Sequence, residues 1–172
     1  KYNRKLKGYT IENISKGDVW SYGQSPLYSA GLNIKSGDTL KEINNVKLSD
    51  KVTPNHLLVN NTNKFIQISI QKKNRKKIEK HTIKTLSNES HLLYRDWVEK
   101  NRDYVHKKSK NKIGYVHIPD MGADGFAEFH RYFLAEIAYD GLIVDVRFNG
   151  GGHVSQILLS KLAKKKIRLW YD

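Results

Sequence analysis

Three consecutive glycines, at positions 150–152, constrain this chain more than any other feature of its sequence. They follow the β-branched run Leu142–Val146, which is typical of a parallel strand covered on both faces, and they precede a segment with helical spacing of apolar residues. A turn without side chains lets backbone N–H groups approach a ligand oxygen, and the dipole of the next helix favours negative charge there. The sequence predicts either an anion-binding turn, for a phosphate or the oxyanion of an acyl transfer, or a tightly packed strand–helix connection.

The segment around these glycines alternates strands and helices. Ile113–Ile118 predicts a strand that ends at Pro119, and Gly141 is the expected C-terminal cap of the helix that follows. The buried face of that helix is predicted from apolar residues spaced three and four apart, Phe126, Phe129, Phe133 and Ile137. This order indicates an α/β layer over residues 113–172, with too few strands for a complete domain. The run lacks the Gly-Lys-Ser/Thr ending of a P-loop and the dinucleotide-binding fingerprint.

Residues 1–86 have a different pattern, with short strands separated by turn residues. Thr39–Ile43 and Phe65–Ile70 predict strands, and Asn44-Asn45 predicts a hairpin-like turn between the first of these and the next apolar residues. Pro54 is expected at the start of a short helix. A small β-barrel with one or two helices is the predicted result.

A single helix is predicted between these two parts, from about residue 89 to residue 108. Asn88 precedes it as a candidate N-cap, and basic residues end it, where the helix dipole favours them. Helical spacing predicts one packed face, formed by Leu93, Trp97, Asn101, Tyr104 and Val105.

The net charge of +14 raises nucleic-acid binding as a competing interpretation. The basic clusters, however, lie at turns and at the ends of elements, where a solvated surface is the simpler expectation. The chain has no cysteine, which excludes disulfides and thiolate chemistry, and no apolar run approaches the roughly 18 residues needed to cross a membrane.

Few other residues have the spacing that catalysis or metal binding requires. The seven histidines show no metal-ligand pattern, and no metal or cofactor is expected. Ser155 and His153 are two residues apart at the start of a helix, so their side chains are expected to diverge. Asp145 and Arg147 are expected to form an ion pair or to orient the glycine turn.

Two further polar residues have structural interpretations. His117 is interpreted as a strand residue at the domain edge. Asp120 is interpreted as a cap or turn residue and not as a catalytic acid.

Several longer motifs resemble the tricorn protease family, which is related to the C-terminal-processing peptidases. They are Leu93–Glu99, Ile113–Gly122 and Leu142–Gly152, and they occur in the order that the family shows. Over residues 1–86 the segments Ser25-Pro26-Leu27 and Lys35-Ser36-Gly37-Asp38 resemble the PDZ domain that precedes the catalytic domain in this family.

The resemblance implies an α+β and α/β organisation in three parts. These are a PDZ-like domain over residues 1–86, a linker helix over 87–112, and the N-terminal part of a crotonase/ClpP-like serine peptidase domain over 113–172. In the family the catalytic histidine precedes the PDZ domain and the serine follows the glycine run, so both are expected outside this chain. The glycine run supplies one oxyanion N–H, which the resemblance assigns to Gly152 first and Gly151 second. Asp172 is the corresponding candidate for the substrate pocket.

The implied function is that of a serine peptidase, a hydrolase that trims peptides or unfolded proteins as a homo-oligomer. The chain has the character of an excised piece, and the expected location is the cytoplasm, or the periplasm or outside if a signal peptide precedes the piece. The alternative is a non-catalytic PDZ module that binds peptides by adding an extended strand to a sheet edge.

Overall fold

A computed structural model describes residues 1–18 and 23–163 of the 172-residue chain. The chain divides into two compact units, Lys1–Asp96 and Trp97–Asp172, and each is described by itself.

The first unit is built on an antiparallel sheet. In its described residues the strands are β1 (Tyr2–Asn3), β2 (Gly8–Thr10), β3 (Gly17–Asp18), β4 (Gly23–Gln24), β5 (Thr39–Ile43), β6 (Val46–Lys47), β7 (Phe65–Gln71) and β8 (Ile78–Lys84). The main sheet has the order β1-β2-β5-β7-β8, with β6 paired to β5, while β3 and β4 form a separate two-stranded sheet. A 3-10 turn (Pro26–Tyr28) and the short helix α1 (Pro54–Leu58) complete the unit.

Local sequence rules account for most of these boundaries. Asn44 and Asn45 both have positive φ, +50° and +63°, which is the conformation that a two-residue hairpin turn requires. The predicted strand and turn are therefore confirmed at these positions. Thr53 caps α1 by accepting a hydrogen bond from the backbone N–H of His56. The core of the unit is aliphatic, formed by Ile34, Ile43, Leu48, Ile66, Ile68 and Ile70.

Helix α2 (Ser90–Lys108) begins near the predicted residue, but its packed face was predicted only in part, since Trp97, Asn101 and Val105 are half-buried. Asn88 accepts a hydrogen bond from the N–H of Ser90 (2.7 Å), as a residue at the helix start should. Leu93 and Tyr104, placed on the packed face by their spacing, are 51% and 62% exposed. The buried side chains are instead Leu92, Arg95 and Val98.

The reason for this error is the arginine in the buried row. Arg95 is 7% exposed and lies 3.8 Å from the carboxylate of Asp18, so a charged residue occupies a position that apolar spacing cannot identify.

The second unit contains a parallel strand pair and the helices that follow each strand. Its described elements are β9 (Ile113–His117), α3 (Ala123–Glu136), β10 (Gly141–Asp145) and α4 (Ser155–Leu162), besides the C-terminal part of α2. The two strands are parallel, with Ile113 opposite Gly141 and His117 opposite Asp145, so both strands end at the same edge. The core comprises Val116, Ile118, Phe129, Phe133 and Leu158.

Two predictions about β10 were wrong. Gly141 does not cap α3, because the helix ends at Glu136 with Ile137 as its C-cap and Gly141 is the first residue of the strand. The strand is also not covered on both faces, since Ile143 is 42% exposed and Val146, just after the strand, is 50% exposed. A continuous β-branched run indicates strand propensity but does not show what covers each face.

The buried face of α3 is only partly apolar. Phe129 and Phe133 are buried as predicted, whereas Phe126 and Ile137 are 36% and 40% exposed. Glu136 is buried in their place, because its carboxylate accepts hydrogen bonds from the Tyr115 N–H (2.9 Å) and lies 2.7 Å from His106 Nε2.

Asp120 lies before α3 and caps its N-terminus with its side chain, which confirms its interpretation as a cap. Its Oδ1 accepts hydrogen bonds from the N–H groups of Gly122 (2.7 Å) and Gly125 (2.9 Å), whereas the N-cap Gly122 has no side chain for this role. Replacing Asp120 by alanine is expected to lower the free energy of unfolding by about 1–2 kcal/mol, because two helix N–H groups lose their acceptor.

Urea unfolding of this chain measures the effect. Asp120→Asn keeps an acceptor oxygen and is the control, which is expected to retain most of the stability. Equal losses in the two variants would contradict the capping role.

Candidate active site

The buried carboxylate of Asp145 lies at the end of β10, five residues before the first glycine of the run. It accepts hydrogen bonds from the hydroxyl of Tyr115 (2.6 Å) and from Arg147 through Nη2 (2.6 Å) and Nε (3.0 Å). The backbone N–H of Arg147 also donates to it (2.9 Å). The predicted ion pair is therefore confirmed, and it holds both the side chain and the backbone of Arg147.

These contacts fix the protonation states of the group. Burial alone would raise the pKa of Asp145, but the hydrogen bonds from Arg147 and Tyr115 hold it well below its usual range. Burial raises the pKa of Tyr115, and the hydrogen bond to Asp145 raises it further. At neutral pH Asp145 is an anion and Tyr115 a neutral donor. Neither is suited to transfer a proton at that pH, and their role is to hold the turn.

Arg147 is fixed on two more sides. Its guanidinium lies over the ring of Trp97 at 5.0 Å, and its carbonyl oxygen is 2.9 Å from Nε2 of His117. Because a carbonyl can only accept, Nε2 of His117 must carry a proton. His117 is 3% exposed and its ring meets Trp97 edge-on at 4.8 Å, so the prediction that it lies at the domain edge was wrong.

The first two glycines of the run have their N–H groups engaged. Gly150 donates to the carbonyl of Pro119 (3.0 Å), and Gly151 donates to Oδ1 of Asn149 (2.8 Å). The carbonyl of Gly151 accepts from the N–H of Met121 (2.7 Å). The turn is thus held against the segment that follows β9.

Gly152 differs from its neighbours. Its N–H has no acceptor among the described residues, while the next two N–H groups, of His153 and Val154, both donate to the carbonyl of Met121. Gly152 pairs with Met121 as an isolated parallel bridge, in which Met121 supplies both hydrogen-bonding groups, so the N–H of Gly152 is left for another acceptor. The residue is exposed and has φ +139°, a conformation that requires glycine.

A side chain at position 152 would not fit. A Cβ atom there would lie 2.2 Å from the carbonyl oxygen of Met121, whereas at Gly151, with φ +81°, nothing lies within 4 Å of a Cβ. Glycine is therefore required at position 152 because the backbone of Met121 lies too close for a side chain. At position 151 glycine is favoured only by the positive φ.

The remaining sequence candidates do not form a second site. Ser155 is the first residue of α4, whereas His153 precedes the helix and its N–H donates to Met121. Within residues 1–18 and 23–163 no three His, Asp or Glu side chains form a group that could hold a metal ion. None of the helices in the described part of the chain is long and apolar enough to cross a membrane. Asp172 lies outside the described residues.

Sequence reasoning did not assign Tyr115 and Trp97 to this site. For Tyr115 a signal exists, since it and His117 alternate on one face of β9 and Asp145 lies opposite His117 on the neighbouring strand. For Trp97 there is none, because its contacts join residues far apart in the chain.

Comparison with known proteins relates both parts of the chain to peptidases. Residues 1–88 match the family described as the tricorn protease PDZ domain, and residues 112–167 match peptidase family S41. The chain thus combines a PDZ domain with an S41 peptidase segment. It belongs to the tricorn protease family, which confirms the resemblance and the predicted fold class.

The relatives are similar over nearly the whole chain. It is 41% identical over 167 residues to a tricorn protease homolog of Saccharolobus solfataricus, which covers 96% of this chain and 15% of that protein. It is 39% identical over 165 residues to the tricorn protease of Thermoplasma volcanium, covering 95% and 16%. The crystal structure of the tricorn protease has a TM-score of 0.84 at 37% identity, over 94% of this chain and 16% of the other. The chain therefore spans about 15–16% of the length of these relatives.

Proposed function

We propose that this chain is a segment of a serine peptidase and that the N–H of Gly152 is one donor of its oxyanion hole. The observation that carries the proposal is the N–H of this exposed residue, which has no acceptor in the described residues although hydrogen bonds hold the residues on either side of it. Oxyanion donors work by being held in place before charge develops. Hydrogen bonds to Pro119 and Met121 fix the turn from one side, and the Asp145–Arg147 pair fixes it from the other.

Gly151 is the weaker candidate, because its N–H already donates to Asn149. In the proposal the nucleophilic serine and the histidine base come from other parts of the longer protein. The division into a PDZ-like domain (1–86), a linker helix (87–112) and a peptidase segment (113–172) belongs to the same proposal. The proposal also includes peptide or unfolded-protein substrates, a homo-oligomeric assembly, a cytoplasmic location and the assignment of Asp172 to the substrate pocket.

The proposal predicts that this chain alone does not cleave peptides, whereas the full-length protein does. An oxyanion hole without its nucleophile and base leaves only about 10³–10⁴-fold acceleration over water. Hydrolysis of a fluorogenic peptide should be measured for both proteins at equal concentration. The full-length activity is expected to disappear with a serine-directed inhibitor. Inhibitor-sensitive turnover by the isolated chain would contradict the proposed division of the catalytic groups.

A second candidate function, peptide binding without catalysis, rests on a cavity of about 660 Å³ in the first unit. Its lining is mainly aliphatic and includes Ile14, Leu27, Ile68 and Leu92. This volume is within the range of ligand-binding pockets, and the lining suits a short apolar stretch of peptide. Calorimetric titration of the chain with a peptide library tests this function, and full-length protein that binds peptides without cleaving them would favour it over the peptidase.

A further inference from the structure

Phe148 has a backbone conformation that its side chain disfavours. It lies third in the turn Val146–Asn149, which is closed by a hydrogen bond from the N–H of Asn149 to the carbonyl of Val146 (3.2 Å). Its φ of +61° is in the left-handed region, where glycine and asparagine are the usual residues and a bulky side chain is an outlier. Asn149, which would tolerate that conformation, is the next residue.

Packing does not explain this phenylalanine. Its side chain is 86% exposed, more than any other large hydrophobic residue in the described part of the chain. Its ring meets the edge of Trp97 at a centroid distance of 5.8 Å, a contact that leaves most of the ring in water. Strained backbone under an exposed aromatic ring is typical of a functional position, where a ligand and not the core uses the side chain.

The backbone on both sides of Phe148 is held firmly. Arg147 is clamped by Asp145, and the side chain of Asn149 both donates to the carbonyl of Ile118 (3.0 Å) and accepts from the N–H of Gly151 (2.8 Å). The turn therefore holds the backbone of Phe148 in a defined position, which lowers the entropic cost for a ligand that binds its side chain.

Phe148 is also close enough to Gly152 to contact the same ligand. Four residue steps span at most about 14 Å, and the turn shortens this distance. A peptide whose carbonyl accepts from the N–H of Gly152 extends about 7 Å over two residues on either side. Side chains flanking that carbonyl can therefore reach the ring.

We infer that Phe148 forms an apolar wall of the substrate-binding site and favours peptides with an aliphatic or aromatic side chain next to the cleaved bond. We expect an aliphatic or aromatic substrate side chain because Phe148, which is exposed and contacts Trp97, offers apolar and aromatic surface. The inference rests on the proposed peptidase function and adds the substrate class that this turn selects.

Full-length protein carrying Phe148→Gly or Phe148→Asn tests the inference. Both residues accept positive φ, so the melting temperature should stay the same or rise. Two series of fluorogenic peptides should be compared. One series has leucine or phenylalanine at each position flanking the cleaved bond, and the other has alanine at the same positions. For the apolar peptides kcat/KM is expected to fall about tenfold, whereas the alanine peptides should change little. Leu134→Ala, which removes a side chain that is 80% exposed on α3, is the control and should leave the ratio of the two series unchanged.

Four results would overturn the inference. An unchanged ratio in both Phe148 variants removes the residue from the substrate site. A lower melting temperature with an unchanged ratio means that Phe148 has a packing role in the full-length protein. If wild-type protein cleaves no peptide, the proposed function fails and this inference fails with it. If Gly152→Ala lowers kcat but the Phe148 variants keep the ratio, only this inference fails.

Discussion

Replacing Gly152 by alanine is expected to lower kcat of the full-length protein by about 10²–10³-fold and to change KM little. The added Cβ would lie 2.2 Å from the carbonyl oxygen of Met121, so the turn must move and the N–H of residue 152 must move with it. An oxyanion donor stabilises charge that exists only in the transition state, so a displaced donor reduces kcat and leaves substrate binding nearly intact.

The neighbouring glycines provide matched controls for this variant. Gly150 has an ordinary φ and open space around a Cβ, so Gly150→Ala should behave like wild type. Gly151→Ala meets no atom but must adopt φ +81°, which costs about 1–2 kcal/mol of stability. Because the N–H of Gly151 already donates to Asn149, its kcat should fall only a few-fold.

Melting temperature and active-site-titrated kcat should be measured on the same samples. The same substitution should weaken inhibition by a peptide aldehyde, which forms a tetrahedral adduct, by about the factor lost in kcat. If Gly152→Ala lowers the melting temperature while correctly folded protein keeps its kcat, the glycine is needed for packing alone. That outcome would remove Gly152 from the oxyanion hole.

Elements that depend on neighbouring residues in the chain were predictable from the sequence. The Asn44-Asn45 turn, the start of α1 at Pro54 and the Asp120 cap follow from turn and capping preferences that act over a few residues. The position of the glycine run between β10 and α4 followed from the change in apolar spacing. In each case the decisive interaction lies within one turn of the residues that indicate it.

Features that depend on distant partners were not predictable. The buried face of α2 contains Arg95, which can be buried because it forms an ion pair with Asp18. Hydropathy cannot indicate such a pair. Within the glycine run, the N–H of Gly150 donates to Pro119, some 30 residues earlier in the chain, and that of Gly151 to the side chain of Asn149, whereas Met121 accepts from His153 and Val154 and leaves the N–H of Gly152 without an acceptor among the described residues. Spacing predicted that the turn could bind an oxyanion, whereas the hydrogen bonds of the folded turn distinguish Gly152 from Gly151.

Replacing Asp145 by alanine is expected to lower the free energy of unfolding by about 2–3 kcal/mol. The change leaves the buried hydroxyl of Tyr115 without its acceptor and releases the side chain and N–H of Arg147. The effect is smaller than for a fully buried ion pair, because the side chain of Arg147 is 58% exposed and water screens its charge. Urea unfolding at neutral pH measures the loss. Asp103→Ala, which removes an exposed carboxylate from α2, should change stability by less than about 0.5 kcal/mol.

The pH dependence of the stability contributed by Asp145 distinguishes the effect of its charge from the effect of its size and shape. The pKa of Asp145 in the folded chain is lowered, so its stabilising effect is complete above the unfolded pKa of about 4 and is lost as pH falls towards the folded value. Asp145→Asn keeps the size of the side chain but not its charge. The difference in free energy of unfolding between wild type and Asp145→Asn should therefore be constant from pH 7 to pH 5 and shrink progressively at pH 3 and pH 2. A difference that stays constant down to pH 2 would show that the hydrogen-bonded shape, and not the ionised carboxylate, holds the turn that presents Gly152.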